Sequence, residues 1–388
     1  MRQYKRAIAF VLILAAVIAI IPKNDSERKV EAAPAATPTP TVATSPSSTP
    51  AGTPVSTIYP ETGTIETAAP TMVPTAAPTA TVTPAMEVTP VPTPVITPAP
   101  ATEEIRGVWI AFYEYKKAGL KNKSEAVFRK NADKLFKKIK DNGCNAVFFH
   151  VRAFDDAIWP SENFKFSSYM GKKTPNYDPL AILVESAHKY GLKFHAWMNP
   201  YRITQKKIYD PAKKSTTSRI MLAVREVIDN YPVDGIHFDD YFYPGSGHKQ
   251  YKKYASLSNK QKKANVNKMV QTVYGNIKAQ NPNLLFGISP AGNVEYCESL
   301  GADVKTWMKG PGYVDYIAPQ IYWSNSYRVG KKTVRMFDNR FAKWKRLNKG
   351  NIPMYIGLAL YRGGMKDASD RGWRKSKKII ASQISKIR

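Results

Sequence analysis

Cysteine is scarce in this chain of 388 residues, which has only Cys144 and Cys297. Two isolated cysteines do not form a disulfide framework, and a domain of this size has a core large enough to fold without one.

The first predicted strand is also not followed by the glycine-rich turn that binds phosphate groups. This absence argues against a dinucleotide-binding fold, and no cofactor is expected.

Acidic residues are also few, with 30 Asp and Glu against 58 Lys and Arg and a net charge of +28. Before Glu103 the six basic and six acidic residues balance, so residues 103–388 carry the whole excess. Such a surface attracts polyanions over long, salt-screened distances. For an exported chain we expect anionic envelope polymers as partners rather than nucleic acid. A solvated surface without a specific partner is the alternative.

The N-terminal third lacks the pattern of a folded domain. Arg2, Lys5 and Arg6 precede the apolar run Ala7–Ile21, which has the length of a signal-peptide core and is short for a membrane span of about 20 residues. Residues 1–32 therefore predict a signal peptide or an N-terminal membrane anchor. Residues 33–102, rich in Pro, Thr and Ala, predict a disordered stalk. We expect an exported protein, secreted or held at the cell surface by residues 7–21.

Residues 103–388 alternate apolar runs with amphipathic helical segments. Two of these segments follow the capping residues Ser124 and Asp178, and two more are predicted over Ser218–Asn230 and Ser258–Gln280. Strands that alternate with helices indicate a parallel sheet covered by helices, and seven evenly spaced units favour an α/β fold of the TIM (β/α)8-barrel type. The eighth strand is missing from the pattern, so we predict a barrel truncated before that strand, with a barrel left open between its first and seventh strands as the alternative. The runs are RGVWIAF, NAVFFHVR, LKFHAWMNP, VDGIHFDD, LLFGISP, VDYIAPQIYW and PMYIGLALY.

Polar and aromatic residues gather where these strands end, which is the face on which barrel enzymes carry their sites. Flat rings stack on the apolar faces of sugars, while amide, guanidinium and carboxylate groups bind the hydroxyls. The pattern therefore predicts a polysaccharide site. The predicted substrate-binding residues are Arg152, Trp159, His195, Trp197, Asn199, Tyr201, Arg202, His237, Tyr241, Tyr243, Asn293, Gln320, Tyr322, Trp323 and Tyr361.

Hydrolysis of a glycosidic bond needs two carboxyl groups. Strand alternation directs Asp239 into the barrel as the nucleophile or base, and directs Asp240 toward the rim. Asp156 is the predicted acid, with Glu114 and Glu298 as competitors.

His150, His195 and His237 permit a metal site beside Asp239 instead, but they lie below the polar strand ends. No metal is expected.

Six segments together resemble the glycosyl hydrolase-like family 10 proteins: RGVWIAF, FFHVRAFDDAIWPSE, FHAWMNPYR, VDGIHFDDYFYP, FGISPAGN and VDYIAPQIYW. The resemblance covers the chain from about Glu104 onward. It implies a TIM-barrel glycosidase that acts on peptidoglycan-type glycan, with the catalytic carboxylates at Asp239 and Asp156. The family loop has glycine where this chain has Asp155.

The sequence thus predicts an exported, monomeric glycosidase that hydrolyses an anionic cell-wall glycan by two-carboxylate chemistry. Two alternatives stay open, a glycan-binding wall protein without catalysis and a metal-dependent polysaccharide hydrolase or deacetylase.

Overall fold

The computed structural model describes residues 104–348, 352–375 and 378–388. The predicted signal or anchor segment 1–32 and the predicted stalk 33–102 lie outside these residues. Among the described residues, no helix has the length and apolar character that a membrane crossing requires.

A parallel sheet of six strands forms the centre of the domain, in the order β1-β2-β5-β8-β9-β10. Short antiparallel or parallel pairs lie in the loops after β2, β5 and β10. The sheet strands are β1 (Gly107–Ile110), β2 (Ala146–Arg152), β5 (Lys193–Met198), β8 (Gly235–Phe238), β9 (Leu285–Ile288) and β10 (Tyr316–Ile317). The loop strands are β3 (Asp156–Ala157), β4 (Lys165–Phe166), β6 (Arg202–Thr204), β7 (Lys207–Ile208), β11 (Tyr327–Val329) and β12 (Lys332–Val334).

Helices connect the strands of the sheet. The principal ones are α1 (Glu125–Asp141), α2 (Pro179–Lys189), α3 (Lys214–Asn230), α4 (Asn259–Gln280) and α7 (Met336–Asn348). Shorter helices are α5 (Val294–Ser299), α6 (Val304–Trp307), α8 (Gly372–Lys375) and α9 (Ile379–Ile387).

Local sequence accounts for where the helices begin. The Asp178 carboxylate accepts hydrogen bonds from the backbone N–H groups of Leu180 and Ala181, and Ser258 and Gln261 form a reciprocal capping box before α4. The prediction for α3 was wrong by one turn, because this helix begins at Lys214 rather than at Ser218.

The sheet is strongly curled, because side chains from strands that are not neighbours meet inside it. The Trp109 indole of β1 hydrogen-bonds His237 of β8, three strands away, and the Phe148 ring of β2 contacts the Tyr316 ring of β10. Gly287 of β9 makes room for this interior, since a Cβ there would lie 2.1 Å from the Tyr316 ring. This curled sheet with helical cover is the incomplete wall of a TIM-type barrel, which confirms the predicted fold class.

A seventh strand position is occupied by residues 353–357. Met354 and Gly357 form parallel bridges with Ile317 and Gln320, at the β10 edge of the sheet. In the described part of the chain no strand pairs β1 with this segment. An ion pair between Arg388 and Glu104, with Nε and Oε1 2.7 Å apart, instead brings the last helix to the start of β1.

Candidate active site

Two adjacent carboxyl groups lie at the end of β8, where the barrel opens. Asp239 is buried, and its Oδ1 accepts hydrogen bonds from the backbone N–H of Asp240 (2.8 Å) and from Nε2 of Gln320 (2.9 Å). The Asp240 carboxyl also hydrogen-bonds Asp239. The prediction that Asp240 points to the rim was therefore wrong, because the turn after Phe238 folds this carboxyl back against its neighbour.

Burial raises the pKa of Asp239, although its hydrogen bonds oppose the shift. Burial and the charge of Asp239 raise the pKa of Asp240 well above the usual range. Because two carboxylates in contact do not both ionise easily, the pair tends to share one proton. The hydrogen bonds that Asp239 accepts from the backbone and from Gln320 favour its ionised form over that of Asp240.

Gln320 and Arg202 fix the surroundings of this pair. Gln320 also donates to the carbonyl oxygen of Ser289 (2.8 Å), so its amide is held on two sides while it orients Asp239. The Arg202 guanidinium lies 4.1 Å from the centroid of the Tyr241 ring, and its charge favours the ionised form of both aspartates. Neither aspartate forms an ion pair with a basic side chain among the described residues.

Tyrosine rings surround the opening. The rings of Tyr113, Tyr241 and Tyr361 are exposed by 68, 43 and 47%, and Tyr361 packs edge-on against Tyr322. Burial raises the pKa of Tyr113, Tyr241 and Tyr322, and the charge of Asp239 adds to each shift, so the three hydroxyls lie within electrostatic reach of this carboxylate. Exposed aromatic faces beside a polar floor are suited to stacking on sugar rings.

A hydrogen-bonded layer fills the barrel below the carboxyl pair. The Trp109 indole can only donate, so its bond to His237 Nε2 (3.2 Å) leaves the His237 proton on Nδ1, which faces the Tyr316 hydroxyl at 3.0 Å. Tyr316 in turn reaches Nδ1 of His195 (3.1 Å). Burial lowers the pKa of His195 to about 4 and that of His237 well below its ordinary value, so both imidazoles are neutral at pH 7.

A second Asp–Asp pair lies after β2 and has different partners. Asp155 accepts hydrogen bonds from the buried Arg152 (2.8 Å), from Arg219 (3.1 Å) and from the Tyr209 hydroxyl (2.5 Å). Although burial opposes the shift, the bonds from Arg219 and Tyr209 hold the pKa of Asp155 below its ordinary value. Asp155 therefore neutralises an arginine inside the loop.

Asp156 accepts a hydrogen bond from the backbone N–H of Phe154 (3.0 Å), and burial raises its pKa. Glu114, after β1, accepts from the N–H of Ala111 (2.8 Å), and burial raises its pKa as well. Both carboxyls thus have the protonation tendency of a general acid. Glu298 differs, because Lys263 and Lys305 neutralise it.

The structure brings together seven of the predicted residues around the barrel opening, and their catalytic and sugar-binding roles stay predictions. These residues are Asp239, Asp240, Arg202, Tyr241, Gln320, Tyr322 and Tyr361. His195 and His237 lie in the layer beneath them. Trp197 stacks on His150 with ring centroids 3.9 Å apart, and the indole N–H of Trp197 has no partner in the described structure.

The other predicted binding residues have contacts inside the protein. Arg152 and Asn199 are buried and donate to the carbonyl oxygens of Asn199 and Ala153, respectively. Trp159 donates to Glu226 of α3, and Asn293 caps α5. Each of these side chains already has a structural role, because its polar atoms bind other parts of the fold.

Three aromatic side chains complete this set. Tyr201 is buried against Phe242, and the buried Tyr243 accepts a hydrogen bond from Asn265. Trp323 lies under the Arg340 guanidinium. These three residues lie in loops beyond the strand ends. The alternation of side chains along a strand therefore cannot predict whether they face the barrel opening.

The three strand histidines do not gather around a common point suited to a metal. Within the described residues no group of three or more His, Cys, Asp and Glu side chains has the arrangement of a metal site. His195 and His237 both bond to Tyr316, and burial lowers the pKa of His150 well below its ordinary value.

Sequence reasoning overlooked Tyr113, whose exposed ring stands beside the carboxyl pair. It lies three residues beyond the end of β1, and the rule that strand ends carry the site could have included it. The hydrogen bonds that Trp109 and Tyr316 make inside the barrel were also not predicted, because an aromatic residue within a strand usually belongs to the hydrophobic core.

The model of the family described as "Glycosyl hydrolase-like 10" matches residues 104–214 and 202–375. These segments contain both Asp–Asp pairs, Glu114 and the tyrosines of the opening. The chain belongs to this family. The resemblance drawn from the six strand-end segments is confirmed, and the domain is a homologue of glycosidases.

Two curated relatives agree with the family. Glycosyl hydrolase YngK of Bacillus subtilis is 32% identical over 326 residues, which is 68% of this chain and 62% of YngK. Glycosyl hydrolase DigH of Escherichia coli is 30% identical over 346 residues, which is 70% of this chain and 77% of DigH. The chain thus spans less than two thirds of the length of YngK.

Among solved structures, a cycloisomaltooligosaccharide glucanotransferase from Paenibacillus aligns with 66% of this chain and 38% of its own, at 12% identity and a TM-score of 0.43. An alpha-L-fucosidase from Paenibacillus thiaminolyticus covers 59% of this chain and 56% of its own, at 12% identity and a TM-score of 0.36.

Proposed function

We propose that the domain hydrolyses glycosidic bonds and that Asp239 is the nucleophile or base. The observation that carries this proposal is the buried carboxyl pair at the end of β8, in which Asp239 accepts hydrogen bonds from the backbone N–H of Asp240, from Gln320 and from the Asp240 carboxyl. A carboxylate oriented in this way is prepared to attack a sugar or to activate water. Family membership supports the same chemistry.

The general acid must come from a different carboxyl group. The carboxyl groups of retaining and inverting glycosidases stand about 5 Å or more apart, so Asp240, in hydrogen-bond contact with Asp239, is too close for this role. Glu114 and Asp156 both have a pKa raised by burial. These two residues are therefore the candidates for the acid.

We further propose that the substrate is a cell-wall glycan of the peptidoglycan type, cleaved outside the cytoplasm. Support comes from the charged and apolar start of the chain, the net charge of +28 and the exposed tyrosines at the opening. An anionic polymer complements a basic surface, and stacked rings complement its sugars.

Incubation of the purified protein with peptide-free peptidoglycan glycan tests the function. We expect new reducing ends that accumulate with time. If the protein retains the glycan in a pull-down assay but releases no reducing ends, it is a glycan-binding wall protein and the proposed hydrolysis is wrong.

The variants Glu114→Gln and Asp156→Asn identify the acid. Replacing the true acid should lower the rate by about 100-fold or more and remove the alkaline limb of the pH profile. Wild-type activity should rise with pH as Asp239 ionises and fall at higher pH as the acid loses its proton. Equal, small effects of both variants would exclude both residues.

A further inference from the structure

Basic residues crowd one side of the barrel opening, in the loops after β5 and β8. Residues 199–214 and 244–256 contain a single acidic residue, Asp210. We call their basic residues the basic rim. They are Arg202, Lys206, Lys207, Lys213, Lys214, Lys249, Lys252 and Lys253, and the seven lysines are exposed.

The two loops of the basic rim are joined to each other. The side-chain oxygen of Gln250 accepts a hydrogen bond from the backbone N–H of Ile208 (2.7 Å). Lys253 and Asp210 form an ion pair with Nζ and Oδ2 3.3 Å apart, and it is the only ion pair of a basic-rim residue within the described ranges. The remaining lysine charges are therefore not neutralised by the protein.

Arg202 connects the basic rim to the carboxyl pair. It begins the β6–β7 hairpin that carries Lys206 and Lys207, and it stacks on Tyr241 next to Asp239 and Asp240. A chain bound along the basic rim would therefore lead into the opening.

The outer surface of α1 is also rich in basic residues, but acidic partners are interspersed there. Arg129 pairs with Glu125 and Glu185, and Lys137 pairs with Asp141. The basic rim is thus distinguished by the lack of nearby carboxylates and not by lysine content alone.

We propose that the basic rim binds the carboxylate groups of an anionic glycan and guides the strand into the site. This proposal rests on the proposed glycosidase function and adds a charge-selective subsite to it. A cluster of positive charge increases the rate at which an anionic partner binds and favours that partner over a neutral one. Added salt weakens both effects.

The test compares two variants that each lose four exposed lysine charges, both in a full-length chain that carries Asp239→Asn to prevent cleavage. The rim variant carries Lys206→Gln, Lys207→Gln, Lys249→Gln and Lys252→Gln. The control carries Lys130→Gln, Lys134→Gln, Lys137→Gln and Lys140→Gln on α1. The probes are peptide-free peptidoglycan glycan, which bears carboxylates, and neutral chito-oligosaccharides of similar length.

For the anionic glycan at low salt, we expect the Kd of the rim variant to rise about tenfold and that of the α1 variant less than about twofold. Added salt should weaken glycan binding by the parent protein and have little effect on the rim variant. Chito-oligosaccharide affinity should be the same in all three proteins. Equal losses in both variants, or a matching loss for the neutral probe, would overturn the proposal. Because binding is measured without cleavage, failure of the hydrolase assay would be a separate result.

Discussion

Two Asp–Asp dipeptides follow strands of the same sheet, and the structure gives them opposite environments. Asp155, after β2, is neutralised by Arg152 and Arg219, and its pKa is lowered. Asp239 and Asp240, after β8, have only hydrogen bonds and the nearby charge of Arg202, and burial raises both pKa values. The sequence motif is the same, so the surrounding cations decide the role.

The comparison shows how one fold separates stability from reactivity. A carboxylate that pairs with a buried arginine stabilises the fold, because its removal would leave an uncompensated charge. A buried carboxyl pair without an ion partner contributes little to stability and is available for proton transfer.

Asp155→Ala should have the largest effect on stability. It leaves Arg152 buried without its carboxylate, and we expect the free energy of unfolding to fall by about 3–5 kcal/mol. Asp141→Ala is the control, because Asp141 is exposed and pairs with the exposed Lys137, so its loss should cost about 0–1 kcal/mol. Denaturant titration measures both. Similar losses in the two variants would contradict the structural role of Asp155.

Gln320→Leu should affect activity more than stability. Loss of the amide that orients Asp239 is expected to lower kcat by about 10- to 100-fold. Gln383→Leu removes another buried glutamine, which donates to the carbonyl oxygen of Trp323, and should leave kcat unchanged in the folded protein. An unchanged kcat in Gln320→Leu would show that Asp239 needs no such positioning.

In mild acid the buried histidines should lower the free energy of unfolding, whereas the Asp239–Asp240 pair, whose pKa values are raised, acts in the opposite direction. His195 has a folded pKa of about 4, below the ordinary 6.5, so below pH 6.5 the unfolded chain binds a proton that the folded protein excludes. The contribution of His195 to the free energy of unfolding should be fully present above pH 6.5 and smaller by about 1 kcal/mol near pH 5.5. His237 adds to this loss.

The variant His195→Gln provides the control, because it removes one of the titrating groups. Relative to the wild type, its free energy of unfolding should rise as the pH falls from 6.5 to 4, as measured by denaturant titration of both proteins at each pH. An identical pH dependence would exclude His195 as a source of the loss. Asp155, with its lowered pKa, should contribute only below about pH 4.

The fold was predictable from sequence because buried strands and amphipathic helices leave clear periodic patterns. The inward position of Asp239 also followed from strand alternation. Alternation placed Gln320 at the barrel opening as well, but it did not predict the hydrogen bond of Gln320 to Asp239. The alternation of side-chain directions applies only within a strand. It therefore could not predict that the turn after Phe238 brings the Asp240 carboxyl against that of Asp239.

Partners distant in sequence were also beyond prediction. Asp155 meets Arg219 across 64 residues, and this contact assigns Asp155 to the stability of the loop. Trp109 meets His237 only because the sheet curls. Such contacts depend on tertiary packing, which a single sequence does not display.

Release of reducing ends by Asp239→Asn tests the central claim most directly. Compared with the wild type on peptide-free glycan, this variant should lose about 1,000-fold or more of the activity while it keeps the wild-type Tm and glycan affinity. Asp155→Asn, measured beside it, should lose stability and retain most of its kcat. Full activity in Asp239→Asn would contradict the assignment of the reaction to the carboxyl pair after β8.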